Sequence, residues 1–189
     1  MVTPKYSRSS SKKEIDGKEL LLNTEVQNHQ YTSRHGIVTA LPIAESTNIN
    51  VGDEVIIHHN VFRRFRDIKG NEKNSKAYYN EKQFFVQPDQ VYAYKRDGNW
   101  MCVDGFCFVK PIKSKNKLSI ENEELLKGIV KYSSDKSYEG NLIGFAPSSE
   151  YEFNIEGERL YRIPLKRITI KYEYQGDEEE YNPSWSQSS

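Results

Sequence analysis

Short apolar runs separated by turn-forming residues are the feature of this 189-residue chain that most constrains its fold. The runs are rich in Val, Ile, Tyr and Phe, which favour strands, and turn signals recur roughly every 8–12 residues. Such spacing is typical of small barrels and sandwiches. We therefore predict an all-β fold with strands at Glu19–Val26, Gly36–Leu41, Asp53–His59, Gln83–Gln87, Gln90–Lys95, Trp100–Val103, Phe106–Pro111, Lys127–Tyr132, Asn141–Phe145, Tyr151–Ile155, Arg159–Ile163 and Arg167–Tyr174.

One segment, Ser119–Lys127, has the signature of a helix instead. Ser119 suits the N-cap position, because its hydroxyl can accept a hydrogen bond from a free backbone amide of the first turn. Acidic residues follow directly, as they often do at the start of a helix. The sequence therefore predicts a short helix between two strands.

The charge balance limits the class of partner. The chain carries 27 basic and 27 acidic residues, so its formal net charge is zero. Non-specific affinity for nucleic acid grows with the number of phosphates that a protein neutralises. A neutral chain is therefore not expected to bind nucleic acid in general.

Cysteine content and hydropathy favour a soluble protein of a reducing compartment. Two cysteines cannot form a disulfide framework. Residues 1–14 lack the apolar stretch of a signal peptide, and no apolar run approaches the roughly 18 residues of a membrane span. We expect a soluble protein of the cytoplasm that does not enter a membrane.

Both ends of the chain are polar. Residues 1–18 include a stretch rich in Ser, Arg and Lys, which cannot bury apolar area, and are predicted to form a polar arm. Residues 176–189 are acidic and then polar, and are predicted to form a tail.

Asp104-Gly105 is a strong signal for a two-residue hairpin of type I′. Such a hairpin would place Cys102 opposite Cys107 on one face, at a separation of roughly 4.5 Å between Cα atoms. That distance permits a disulfide. Two reduced thiols packed as small apolar groups are favoured over it, and the oxidation state stays open.

The two halves of the chain share an order of strand signals. The first half contains, in order, Leu20–Leu22, Gly36–Pro42, Val51–Ile57 and Asp89–Tyr94. The second half contains, in order, Phe106–Ile112, Gly140–Pro147, Ser149–Ile155 and Arg167–Tyr172. The common order predicts an internal repeat.

This order resembles the GroES-like co-chaperonin fold, in which a Gly-initiated strand and a Val-Gly-Asp-x-Val strand precede a late Asp-initiated strand. The likeness spans residues 19–95 and 106–174. It implies two small GroES-like β-barrels in tandem, a phage-type arrangement. The first barrel would comprise residues 19–103 with an insertion at 60–82, and the second would comprise residues 104–175.

The resemblance also implies a protein that binds without bond-making chemistry. A co-chaperonin docks a small apolar tripeptide, which follows a glycine on a mobile loop, into its chaperonin, and a ring of subunits makes many weak contacts act together. The matching loop lies at 125–131, although Lys131 stands where the family has a third apolar residue. A short helix end and strand packed on the core explain the segment at least as well. The residues implied in binding are Leu126, Gly128, Ile129 and Val130.

The insertion at 60–82 alternates aromatic and basic residues. Arg beside aromatic rings is typical of interface hot spots and of platforms that stack single-stranded nucleic acid. A solvated hairpin whose phenylalanines cover the end of a barrel is the simplest alternative. The residues expected to contact a partner are Phe62, Arg63, Arg64, Phe65 and Arg66.

No motif supports catalysis. The sequence lacks a nucleophile elbow, a phosphate-binding loop, a zinc-protease helix and a dinucleotide fingerprint. His58 and His59 are adjacent in a predicted strand, so they should point to opposite faces and not share a metal. We therefore expect no enzyme activity, no metal and no cofactor.

These features give two functional hypotheses. The first is a ring-forming, phage-encoded co-chaperonin-like protein that binds a chaperonin or an assembling client. The second is a structural component of a virus particle, such as a head decoration, neck or tail-ring protein that contacts neighbouring virion proteins. Both imply a homo-oligomer, and an oligonucleotide-binding barrel is a weaker third hypothesis.

Overall fold

The computed structural model describes residues 1–8, 12–15, 18–21, 32–115, 122–173 and 176–183. Within these residues the chain consists of strands and turns, so the predicted all-β class is confirmed. Helical structure is limited to three single 3₁₀ turns. In this part of the chain there is no helix long and apolar enough to cross a membrane.

Fifteen strands are defined in the described residues. They are β1 (Val2–Pro4), β2 (Lys12–Ile15), β3 (Lys18–Leu21), β4 (His35–Val38), β5 (Glu54–Ile57), β6 (Arg64–Arg66), β7 (Glu72–Asn74), β8 (Val91–Arg96), β9 (Asn99–Cys102), β10 (Phe106–Lys113), β11 (Glu123–Ser133), β12 (Leu142–Phe145), β13 (Tyr151–Ile155), β14 (Glu158–Pro164) and β15 (Ile168–Lys171). The predicted strand at Gln83–Gln87 is wrong, because only Phe84 forms isolated bridges there.

The chain divides into two compact units, Met1–Trp100 and Met101–Ser189. A five-stranded antiparallel sheet has the order β1-β4-β5-β8-β9, and two small ribbons pair β2 with β3 and β6 with β7. A six-stranded antiparallel sheet has the order β13-β14-β10-β11-β12-β15.

Neither large sheet closes on itself in the described residues, so the predicted barrels are not confirmed. Each sheet runs from one edge strand to another. The predicted repeat is also absent from the pairing: β5 lies between β4 and β8, whereas the corresponding β13 lies at the opposite edge from β12 and β15. The turn signals locate strands correctly, but they do not specify which strands pair.

The predicted polar arm begins as part of a sheet. Val2 is buried and pairs with Val38, while its backbone exchanges two hydrogen bonds with Phe84, both 2.9 Å long. Val2 is the one buried residue of this edge strand. Composition alone therefore misassigns residues 1–4.

The predicted helix at Ser119–Lys127 is wrong over its second half. Residues 119–121 lie outside the described residues, and Glu123–Lys127 begins β11. This strand pairs with β10 on one side and with β12 on the other. Tertiary pairing of this kind overrides a weak local helix preference.

Asp104-Gly105 forms a turn but not the predicted hairpin. The amide of Phe106 donates to the carbonyl of Val103 over 3.3 Å, and only Gly105 has a positive φ, of 87°, whereas a type I′ turn needs two. The flanking strands pair elsewhere, β9 with β8 and β10 with β11 and β14.

Both cysteines are free and buried. Burial disfavours the charged thiolate, so it raises the pKa of Cys102 and raises that of Cys107 to about 12. The reduced pair favoured from the sequence is what the structure contains.

The core of the second unit forms where β10 and β11 approach closely. Buried side chains from four strands pack together there: Cys107, Val109, Val130, Ile143, Phe145 and Ile163. Gly128 permits the approach, because a Cβ atom at this position would lie 2.4 Å from the carbonyl oxygen of Lys110 and 2.5 Å from Cγ1 of Val109.

We therefore expect Gly128→Ala to lower the free energy of unfolding by about 2–4 kcal/mol, because a backbone atom of β10 must move. Gly144→Ala is the matched control in the neighbouring strand: its Cβ would meet Tyr172 and Ile170 at ordinary distances of 3.4–3.5 Å. Urea unfolding of the two variants should separate them clearly. Equal stability would contradict this account of the β10–β11 contact.

Candidate functional site

The insertion carries a hairpin, residues 64–74, that projects a rigid turn. Strands β6 and β7 pair from Arg64↔Asn74 to Arg66↔Glu72. At the turn, the Asp67 carboxylate accepts hydrogen bonds from the amides of Lys69 and Asn71, both 2.9 Å long. These bonds lower the pKa of Asp67, with the Asn71 amide contributing most. The turn is therefore ordered by its own side chain.

The hairpin is anchored by a buried pair of aromatic rings, Phe62 and Phe84, which form its root. The rings of Phe62 and Phe84 meet edge to face with centroids 5.0 Å apart, and both side chains are buried. The Arg8 guanidinium lies 4.7 Å from the Phe84 ring centroid and donates to the Phe62 carbonyl and to Asn74. Burial lowers the pKa of Arg8, which remains cationic because its ordinary value is so high.

The apolar residues beyond the root are exposed. Ile68, in the hairpin turn, has 103% of its reference surface accessible, and Phe65 beside it is also exposed. Tyr79 and Phe85 form a second exposed pair with ring centroids 5.4 Å apart. Turns favour Gly, Pro, Asn, Asp and Ser rather than a β-branched residue, so local turn preference does not explain Ile68.

The insertion is positively charged although the whole chain is neutral. Seven basic and three acidic residues lie between Asn60 and Val86. One pair is internal, with Arg64 and Glu72 joined at 2.8 Å across the hairpin. The remaining excess of positive charge favours an acidic partner surface.

The five residues predicted in the insertion have different environments in the structure. Phe62 belongs to the buried root, and Arg63 is half-buried. Arg64 is paired across the hairpin, whereas Phe65 and Arg66 are exposed. Ile68 was not predicted, although the Asp67-x-x-Gly70 turn signal could have located it; nothing in the sequence marks Arg8.

The predicted docking loop at 125–131 is a strand of the core instead. Gly128, Ile129 and Val130 are all buried within β11, between β10 and β12. They are therefore not exposed in this structure, which agrees with the strand of the alternative interpretation but not with its helix end.

A bulge interrupts β11 just before these residues. The register with β10 passes from Pro111↔Gly128 to Lys113↔Glu123, so β11 contains three extra residues there. Leu126 has a positive φ of 58° in this bulge, and Leu125 is 66% exposed. Of the predicted loop, only the bulge presents an apolar side chain to solvent.

Charged groups elsewhere in the first unit form a structural ion-pair cluster. Glu54 accepts a hydrogen bond from Lys5 over 2.7 Å, and its other oxygen lies 2.9 Å from Nδ1 of His35. Burial opposes ionisation of Glu54, but the bonds with His35 and Lys5 outweigh it and lower its pKa to about 2.

No group of three or more His, Cys, Asp or Glu side chains is placed to hold a metal ion in the residues that the structure describes. His58 and His59 do not point to opposite faces as expected, since their ring centroids are only 4.2 Å apart. The alternation of a strand does not apply to them because β5 ends at Ile57.

No family model matches the chain, and neither a curated protein nor a solved structure does. The GroES-like resemblance of the sequence therefore gains no support from these comparisons.

The low pKa of Glu54 predicts acid sensitivity. The folded-state pKa lies below the ordinary value of 4.5, so the stabilisation is present above pH 4.5 and is lost as the pH falls through about 2. We expect Glu54→Gln to reduce the loss of unfolding free energy between about pH 6 and pH 3, whereas Glu72→Gln, in the exposed hairpin pair, should not. Urea unfolding at several pH values measures this; parallel profiles for Glu54→Gln and wild type would contradict it.

Proposed function

We propose that the protein is a non-enzymatic subunit of a homo-oligomeric assembly and that its copies associate through the insertion hairpin. The observation that carries this proposal is Ile68, a fully exposed isoleucine on a turn that Asp67 holds in place. A structural component of a virus particle, such as a head decoration, neck or tail-ring protein, is the class of assembly that we propose.

The geometry of the hairpin suits it to docking. Because the turn is already ordered, binding loses little conformational entropy there. Burying one isoleucine side chain contributes about 1.5–3 kcal/mol. Phe65 and Arg66 precede the turn in β6. Aromatic and Arg side chains supply most of the binding free energy at many interfaces.

The open sheet edges also favour assembly. β15 forms one edge of the six-stranded sheet, and its Thr169, Ile170 and Lys171 are all exposed. An edge strand has backbone groups available for pairing with another chain. Such edges are consistent with a protein that associates with further copies of itself.

Substitution of Ile68 tests the proposal. We expect wild-type protein to form oligomers as its concentration rises and Ile68→Asp to remain monomeric, because a buried carboxylate without a partner disfavours association. Sedimentation velocity measures the difference. The matched control is Ile43→Asp, which alters an isoleucine that is likewise fully exposed, at 105%, but lies outside the insertion.

A monomeric wild-type protein over the whole concentration range would contradict the proposal, as would loss of association in both variants. Mass spectrometry of purified virus particles tests the class of assembly, because a structural component is present at stoichiometric levels.

A co-chaperonin built on GroES-like barrels is the second candidate function. The observation that favours it is Leu125, exposed on the β11 bulge that lies in the predicted docking segment. It is weaker because Ile129 and Val130 are buried, which leaves a single apolar residue where the family docks three.

If this second function holds, Leu125→Asp should abolish binding to a chaperonin and inhibition of its ATPase. Val51→Asp, which alters another exposed apolar residue outside this segment, is the control and should have no effect. A wild-type protein that neither binds chaperonin nor alters its ATPase rate would exclude the co-chaperonin function.

A further inference from the structure

The C-terminal segment continues the six-stranded sheet beside β10. Pairing of β10 with β14 ends at Val109↔Tyr161. Beyond it, the amide of Lys113 donates to the carbonyl of Glu179 over 2.7 Å, and the amide of Tyr181 donates to the carbonyl of Pro111 over 2.9 Å. Residues 179–181 thus pair with β10 beyond the end of β14, through a single antiparallel bridge between Ile112 and Glu180.

Charge complementarity accompanies this backbone pairing. Lys110 binds both carboxylate oxygens of Glu180 at 2.8 and 2.9 Å, and Lys113 is paired with Glu179. Lys115 lies 3.0 Å from Glu178. Three successive acidic residues thus face three basic residues, so the acidic part of the predicted tail lies against the end of β10 and the residues that follow it.

The segment is held with little burial, although the Glu178 side chain is only 14% exposed and Asn182 is hydrogen-bonded to Gly157 and Arg159. None of residues 176–183 is buried, and the carboxylates of Glu179 and Glu180 are more than half exposed. Exposed ion pairs contribute little to stability and are screened by salt. An element with few buried contacts opens locally at a low free-energy cost.

We propose that residues 110–115, which are the end of β10 and the two residues after it, form a docking groove for an extended acidic segment and that in the assembled protein this segment comes from a second copy of the chain. Every copy carries the sequence that fits the groove, and Gly176, with a φ of 83°, precedes the segment at a point where the backbone can redirect. Exchange of an identical element between copies replaces each contact with an equivalent one. The inference rests on the proposed function only because it requires copies of the chain to associate.

Isotope mixing tests the exchange in the wild-type protein. Unlabelled and ¹⁵N-labelled chains are mixed, allowed to assemble and cross-linked with a carbodiimide, which joins amines to carboxylates in direct contact. We expect Lys113–Glu179 and Lys110–Glu180 cross-links in which one peptide is labelled and the other is not. Cross-links found only between two labelled or two unlabelled peptides would overturn the exchange.

A charge swap gives an answer even if the insertion hairpin does not mediate assembly. Both chains carry Ile68→Asp; one adds Lys110→Glu and Lys113→Glu, and the other adds Glu179→Lys and Glu180→Lys. Within each chain the groove and the segment then repel, whereas across the pair they attract. We expect the one-to-one heterodimer to have a dissociation constant at least about tenfold lower than that of either homodimer. High salt should dissociate the heterodimer.

Absence of the heterodimer would overturn the proposal whatever the outcome for Ile68. Equal dimerisation of each chain alone would also overturn it, because the contact would then lie elsewhere. Hydrogen exchange at the amides of Lys113 and Tyr181 shows in each chain whether the segment has left the groove.

Discussion

The close approach of β10 and β11 is the constraint on which the second unit depends. Gly128 places no side chain between the strands, so the backbone of β10 passes where a Cβ atom would otherwise lie. This approach brings Val109 and Val130 into one core. It also fixes β10 in the middle of its sheet, with one flank paired to β11 and the other shared between β14 and the C-terminal segment.

Local sequence signals located most strands because each strand has its own apolar run and flanking turn. Tyr151–Ile155 was predicted with the same bounds as β13, and Phe106–Pro111 differs from β10 only at its end. Pairing was not predictable in this way. The Gly128-Ile129-Val130 triplet resembles an exposed docking loop in sequence, and only its partners on both sides, β10 and β12, decide that it is buried.

The candidate surfaces show the same limit. Alternating Phe and Arg identified the insertion, but not that Phe62 supports it while Phe65 is exposed, since that depends on contact with the distant Phe84. The acidic run at the C-terminus was correctly identified as charged. Its pairing with the end of β10 depends on lysines more than 60 residues away, which no local pattern can associate with it.

The two buried thiols have a practical consequence. Maleimides and iodoacetamide react with the thiolate form, which Cys102 and Cys107 scarcely populate while burial keeps their pKa values high. A fluorophore or spin label could therefore be attached to one cysteine engineered on the surface while both natural cysteines are retained. Distance measurements between labelled copies become feasible in the native sequence background.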